Sequence, residues 1–232
     1  TITDKTTTAK PFASVTITDP DDAPIQILTV TVTLDDAVKG TFTTLAGFTS
    51  LGDGVYAFSG TATAAQTAIR ALVFRPTENR LLPGQTDTTR FTISVSAGCG
   101  TVTNDSTTVA ATSTNDTPVL SGAVANQAVN DNASISPFAT FTVTDADAAQ
   151  SLTLTVRLDT AAKGAFTTLN GFTSLGGGQY RFVGTAAEAQ AAIRGLVFTP
   201  TANRLNLGAT ETTTFTVTVS AGPASTRTNS ST

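Results

Sequence analysis

Two aspartates at alternate positions, Asp19 and Asp21, close a Thr-rich run, and Asp145 with Asp147 repeats the arrangement later in the chain. Alternate residues on a chain leaving a strand can both turn toward one cation. Carboxylate oxygens are the hard ligands that Ca²⁺ collects, about six to eight at a time. Asn115 and Asp116 stand upstream of the second pair. A divalent ion held by Asn115, Asp116, Asp145 and Asp147 would therefore fasten the segment around residue 115 to the part of the chain that follows. Each Asp also has a metal-free reading, as a turn residue capping backbone amides. Asp35, which recurs as Asp159, and Asp87, which recurs as Glu211, leave the same two readings open.

Other chemistries find few of the residues they need. With no His and one Cys, His-containing triads and zinc ligand sets are excluded. There is no Trp, and the two Tyr, Tyr56 and Tyr180, sit in matching strand-like runs. That places them in a core or at a sandwich edge and leaves no aromatic platform for a sugar-cleaving site. No phosphate loop or nucleophile elbow appears, so the chain is expected not to be an enzyme. A net charge of −4 and a pI near 4.7 supply no basic stripe for nucleic acid. No apolar run approaches the ~20 residues of a membrane span. Cys99 has Pro223 as its counterpart; it reads either as a small residue beside a turn or as a thiol for pairing between molecules.

The elements that would hold these residues follow from an internal repeat. Residues 34–96 align without a gap on residues 158–220, with roughly two-thirds of positions identical. KGTFTTLAGFTSLGDGVYAFSGTA recurs as KGAFTTLNGFTSLGGGQYRFVGTA, and AIRALVFRPTENR as AIRGLVFTPTANR. A period of this length suits a domain rather than a solenoid unit. The reading is therefore a first repeat over 1–114, a linker over 115–119 and a second repeat over 120–232. The ends are out of phase with the repeat: the first copy is expected to lack its first strand and the second the end of its last. Within each copy the period is two, as in Leu152, Leu154, Val156 and Leu158 against Thr153 and Thr155. Thr, roughly one residue in five, suits the wet face of such strands. Strands are predicted around FTVT, LTLTVRL, YRF, GLVF and TTFTVTV. One segment, 185–195, is Ala-rich, and Thr185 with Glu188 has capping-box spacing, so a short helix is predicted there and in its counterpart. The recurring Arg70 and Arg194 are expected to bridge or to cap carbonyls. The fold class is all-β: two tandem Greek-key β-sandwiches, each with one short helix.

On these residues the chain resembles the cadherin-like, Ig-like repeats of large bacterial surface adhesins. In that superfamily a linker with Asn-Asp and a nearby Pro, here Asn115, Asp116 and Pro118, precedes a domain whose second strand ends in Asp-x-Asp, here Asp145 and Asp147. The resemblance spans essentially the whole chain. It implies Ca²⁺ at the joint between repeats, with further ligands from the preceding domain; Glu78 is the nearest candidate, and Ala202 stands at its counterpart. It also implies an extracellular, bacterial cell-surface location and a stalk or adhesive role. Partners would be neighbouring repeats or identical subunits, with a cell-surface or glycan receptor engaged through other domains. The alternative is a structural subunit of a filament, sheath or surface layer assembled by strand exchange, since an open sheet edge is a template for a donated strand.

Overall fold

The computed structural model describes every residue except 6, 20–25, 99, 148, 223–225 and 232. Asp21 and Cys99 therefore lie outside the described residues. By its internal contacts the chain divides into unit 1, Thr1–Thr114, and unit 2, Asn115–Thr232.

Unit 1 begins with β1 (Ile2–Thr3) and continues through β2 (Leu28–Leu34), β3 (Gly40–Thr44), β4 (Thr49–Gly52) and β5 (Val55–Gly60). Helix α1 (Ala62–Ala71) then leads into β6 (Val73–Pro76), β7 (Thr86–Ser96) and β8 (Thr101–Thr112). One sheet has the order β1-β8-β7-β2-β5-β4, and β3 pairs with β6 in the other. The period of two decides what faces inward. Leu28, Val30, Val32 and Leu34 are buried, and the Thr residues between them are more exposed. The core closes on ring contacts: Phe74 meets Phe91 edge-on at 5.0 Å, and Phe42 meets Tyr56 at 4.9 Å. The Tyr56 hydroxyl accepts the Phe42 amide at 3.4 Å, which satisfies a polar tip inside an apolar layer. Gly40 is required by crowding, because a Cβ there would lie 2.5 Å from the Arg75 carbonyl oxygen and from the Phe74 ring.

Unit 2 repeats the plan with β9 (Val119–Ser121), β10 (Thr142–Thr144), β11 (Leu152–Leu158), β12 (Gly164–Thr168), β13 (Thr173–Gly176) and β14 (Gln179–Gly184). After α2 (Ala186–Arg194) come β15 (Val197–Pro200), β16 (Phe215–Ser220) and β17 (Thr226–Ser231). The sheets run β13-β14-β11-β16-β17, β12-β15 and β10-β9. Both units are all-β sandwiches with a single short α-helix among their described residues, as the alternation and the Ala-rich segment predict. Registers coincide as well: Leu28 faces Gly60 and Thr29 faces Ser96, while Leu152 faces Gly184 and Thr153 faces Ser220.

The helices sit where the sequence predicts them. Thr185 and Glu188 form the reciprocal capping box on α2, and Thr61 caps α1 alone because Ala64 replaces the glutamate. Arg70 and Arg194 are carbonyl clamps: their Nε groups donate to Val15 and Phe141 carbonyl oxygens at 2.7 Å. Gln66 and Gln190 add a second tie, accepting the Ile17 and Val143 amides at 3.1 and 3.2 Å. No helix among the described residues is long and apolar enough to cross a membrane.

Candidate metal centre

The strand β10 ends at Thr144, and the next residues form a tight acidic turn before β11. Its shape is set by Asp145, whose Oδ1 accepts the amide of Asp147 at 3.0 Å, the Asx-turn bond expected of an aspartate two residues upstream. The Asp147 carbonyl in turn accepts the Gln150 amide at 2.8 Å. Asp147 is 4% exposed, and its Oδ2 accepts the backbone amide of Asp116 at 2.6 Å. A charged acceptor makes this a strong bond, and it holds the segment ahead of β9 against the turn. Gln150 donates from Nε2 to Asn115 Oδ1 at 2.5 Å and to the Ala221 carbonyl at 3.2 Å. Asn115 donates from Nδ2 to the carbonyl of Asp116 at 2.9 Å.

This network leaves three buried oxygens without a hydrogen-bond partner: Asp145 Oδ2, Asp147 Oδ1 and Gln150 Oε1. All three are acceptors, and all three belong to one turn. Burying an unpaired carboxylate oxygen is costly, and acceptors of this kind are satisfied by a donor, a proton or a cation, not by another acceptor. Burial pushes the Asp145 carboxyl above its ordinary value, the Asp147 amide opposes that, and the charges of Asp147 and Asp116 add to it. Among the described residues no three Asp, Glu, His or Cys side chains converge closely enough to hold a metal by themselves. A cation at this turn would have to draw on the amide oxygen of Gln150 as well as on carboxylates. A set of carboxylate and amide oxygens suits Ca²⁺ and fits no soft metal.

The sequence-derived candidates separate on this geometry. Asn115, Asp116, Asp145 and Asp147 come together within unit 2. Asp19 is half-buried at the end of the matching run in unit 1, and Asp21 lies outside the described residues. Asp35 and Asp159 are turn residues, paired to Lys39 at 2.7 Å and Lys163 at 2.6 Å. Asp87 pairs with Arg80 and Lys39, Glu211 with Arg204, and Glu78 with Arg75. Gln150 is the member that reasoning from carboxylates passes over. Its signal is present, since Gln26 and Gln150 each stand two residues ahead of the matching strands β2 and β11.

No protein-family model matches the sequence, and neither does any curated protein. Among solved structures, the C-terminal domain of the Streptococcus pyogenes antigen I/II-family protein AspA aligns over 96% of this chain and 89% of its own, at 7% identity and a TM-score of 0.28. The C-terminal domain of the Streptococcus agalactiae AgI/II polypeptide BspA aligns over 99% and 86%, at 8% identity and a TM-score of 0.23. An endo-fucoidan hydrolase from glycoside hydrolase family 107 aligns over 86% of this chain and 22% of its own, at 16% identity and a TM-score of 0.22. Alignments this loose set neither fold nor function, which rest on the residues described above.

Proposed function

We propose that the chain is a non-catalytic, extracellular repeat segment of a cell-surface adhesin, and that its second repeat takes up Ca²⁺ at the turn following β10. The observation that carries the cation is the trio of buried, unpartnered acceptor oxygens on Asp145, Asp147 and Gln150. Asp145 and Asp147 would supply charge, Gln150 a neutral oxygen, and Asp116 a further carboxylate. Asn115 acts as a positioning residue through its bond to Gln150. Asn115 and Asp116 directly follow the last residue of unit 1 in sequence. Pinning them shortens the free chain between repeats, and a shorter tether is a stiffer one. The tandem repeat of one sandwich plan and the Thr-rich, weakly charged strands support the stalk reading.

The test is unfolding with and without the metal. A ligand that binds only the folded state at about 100 times its Kd adds about 2.7 kcal/mol. Calcium should therefore raise the Tm of unit 2 and leave that of unit 1 unchanged, while Asp147→Asn abolishes the rise. Equal melting in calcium and in EDTA would remove the cation. Equal maximum dimensions in small-angle scattering under the two conditions would remove the stiffening.

A second reading, a structural subunit assembled by strand exchange, is favoured by one observation. Thr142–Thr144 is paired by β9, whereas among the described residues its counterpart Thr16–Thr18 has no partner strand. A strand with the pattern of Val119–Ser121, from a neighbouring repeat or an identical subunit, would fill that edge. A natural-length protein that sediments as a monomer at every concentration would rule this reading out.

A further inference from the structure

The first strand of unit 1 runs parallel to its last. Ile2 faces Ala111 and Thr3 faces Thr112, and the Asp4 amide donates to the Thr112 carbonyl at 3.1 Å. Directly beyond this short ladder the Asp4 carboxylate closes the seam. Its Oδ1 accepts both the amide and the hydroxyl of Thr114, at 3.0 and 3.1 Å, and its Oδ2 accepts the Asn79 amide at 3.1 Å. Asp4 is 4% exposed, so these bonds to an ionised acceptor are sheltered from competing water. The neighbouring Ser113 is fastened too: it exchanges backbone bonds with Gly84 and Gln85, and its hydroxyl reaches the Leu81 carbonyl at 3.1 Å. Unit 2 repeats part of the device, with the Asn203 amide donating to Asp131 at 2.8 Å.

From this arrangement we infer that unit 1 is a mechanical clamp, built to resist tension carried along the chain. Tension draws Thr1 backward along β1 and Thr114 forward along β8. Because the two strands are adjacent and parallel, these pulls slide one past the other along their length. Every bond across the seam is then strained at once: the ladder, the Asp4 amide and the Asp4 carboxylate must yield together. Antiparallel end strands leaving at one edge would instead open bond by bond. The reading of the chain as a stalk gives this clamp its use, but the geometry is independent of that reading.

The experiment is single-molecule pulling on the full chain in EDTA, with handles placed to stretch unit 1 in two directions. Handles at Thr1 and Thr114 load the seam in shear. Handles at Asp53 and Thr107 pull across the strands, because the β4–β5 turn lies at the sheet end where Thr33 faces Val55, and Thr107 faces Phe91, itself opposite Leu34, at that same level. The wild-type chain should open at a higher force in the first direction than in the second. Asp4→Ala should remove that excess and leave the cross-strand force unchanged, and Thr114→Val, which keeps the backbone bond, should remove part of it. Ile69→Val, a core change away from the seam, should lower the Tm of unit 1 and preserve the excess. Equal forces in the two directions, or an excess untouched by Asp4→Ala, would overturn the clamp. Should Asp4→Ala fail to fold, the wild-type comparison of directions still decides. Calcium and receptor play no part in the measurement, so failure of the adhesin reading leaves its outcome intact.

Discussion

Asn170 and Gly195 show how a single pair of residues can separate two otherwise matching copies. Asn170, at φ 43°, donates from Nδ2 to the Ala191 and Ala192 carbonyls at 2.9 and 3.0 Å, and so caps the end of α2. A Cβ on Gly195 would lie 2.1 Å from that nitrogen, so the cap requires the glycine. Unit 1 has Ala46, at φ 50°, and Ala71 in these places. Asn170→Ala should cost unit 2 about 1 kcal/mol in denaturant titration. Ala46→Asn should destabilise unit 1 alone and stabilise it when combined with Ala71→Gly, a coupling that a double-mutant cycle will measure. Asp4 makes a prediction about acid. Burial raises its pKa, but the Thr114 and Asn79 amides and the Ser113 and Thr114 hydroxyls lower it further, for a net depression. A depressed folded pKa means stability that is complete above the ordinary value of 3.8 and lost as pH falls through the folded one. The Tm of unit 1 should therefore drop as pH falls below about 4, and Asp4→Asn should flatten that slope. Neither device was legible in the sequence. Their partners are backbone groups brought close by the fold, and nothing in residue type marks a backbone amide as a future donor to Asp4.

For whole strands and helices, alternation and capping carried the reading, and they did so because they describe one element at a time. The buried set Leu152, Leu154, Val156 and Leu158 is the set the period of two selects, and α2 begins at its capping box. The extent of pairing is a different matter. TDTTR, residues 86–90, lies within β7, whereas the matching TETTT, residues 210–214, lies ahead of β16, which starts at Phe215. In β7 the segment is laddered by β8, which pairs out to Thr112 opposite Thr86. A Thr-rich segment with little apolar surface becomes a strand when a neighbour supplies the ladder. The acidic turn obeys the same rule: its carboxylates were visible, and Gln150 was overlooked because an amide draws attention only beside a charge it completes. The helices are tied to the sandwich by one guanidinium each. Arg70→Ala removes a charged donor to the Val15 carbonyl and should cost unit 1 about 1.5–3 kcal/mol. Arg70→Lys should recover little, because an ammonium lacks the fixed Nε–H direction, and hydrogen exchange along α1 will report the loosening.

At the scale of the molecule, the decisive property is that one plan is written twice. The repeat identifies the units, the paired registers show that each is assembled alike, and departures from identity locate the Asn170 cap. The same coincidence of register has a kinetic side. A chain that is refolding contains two versions of β2, β5 and β7, and a strand such as Val55–Gly60 meets in β11 a template of the same register as its own partner β2. Adjacent near-identical domains thus compete for each other's strands, and the crossed product buries the same residues as the native one. Refolding of the full chain should therefore yield a slowly resolving fraction whose size does not depend on protein concentration. Replacing Ala57 and Ser59 with the Arg and Val of the second copy should enlarge that fraction, which stopped-flow fluorescence or repeated pulling cycles can count. The small differences between copies act, in this light, as addresses that tell each strand where it belongs.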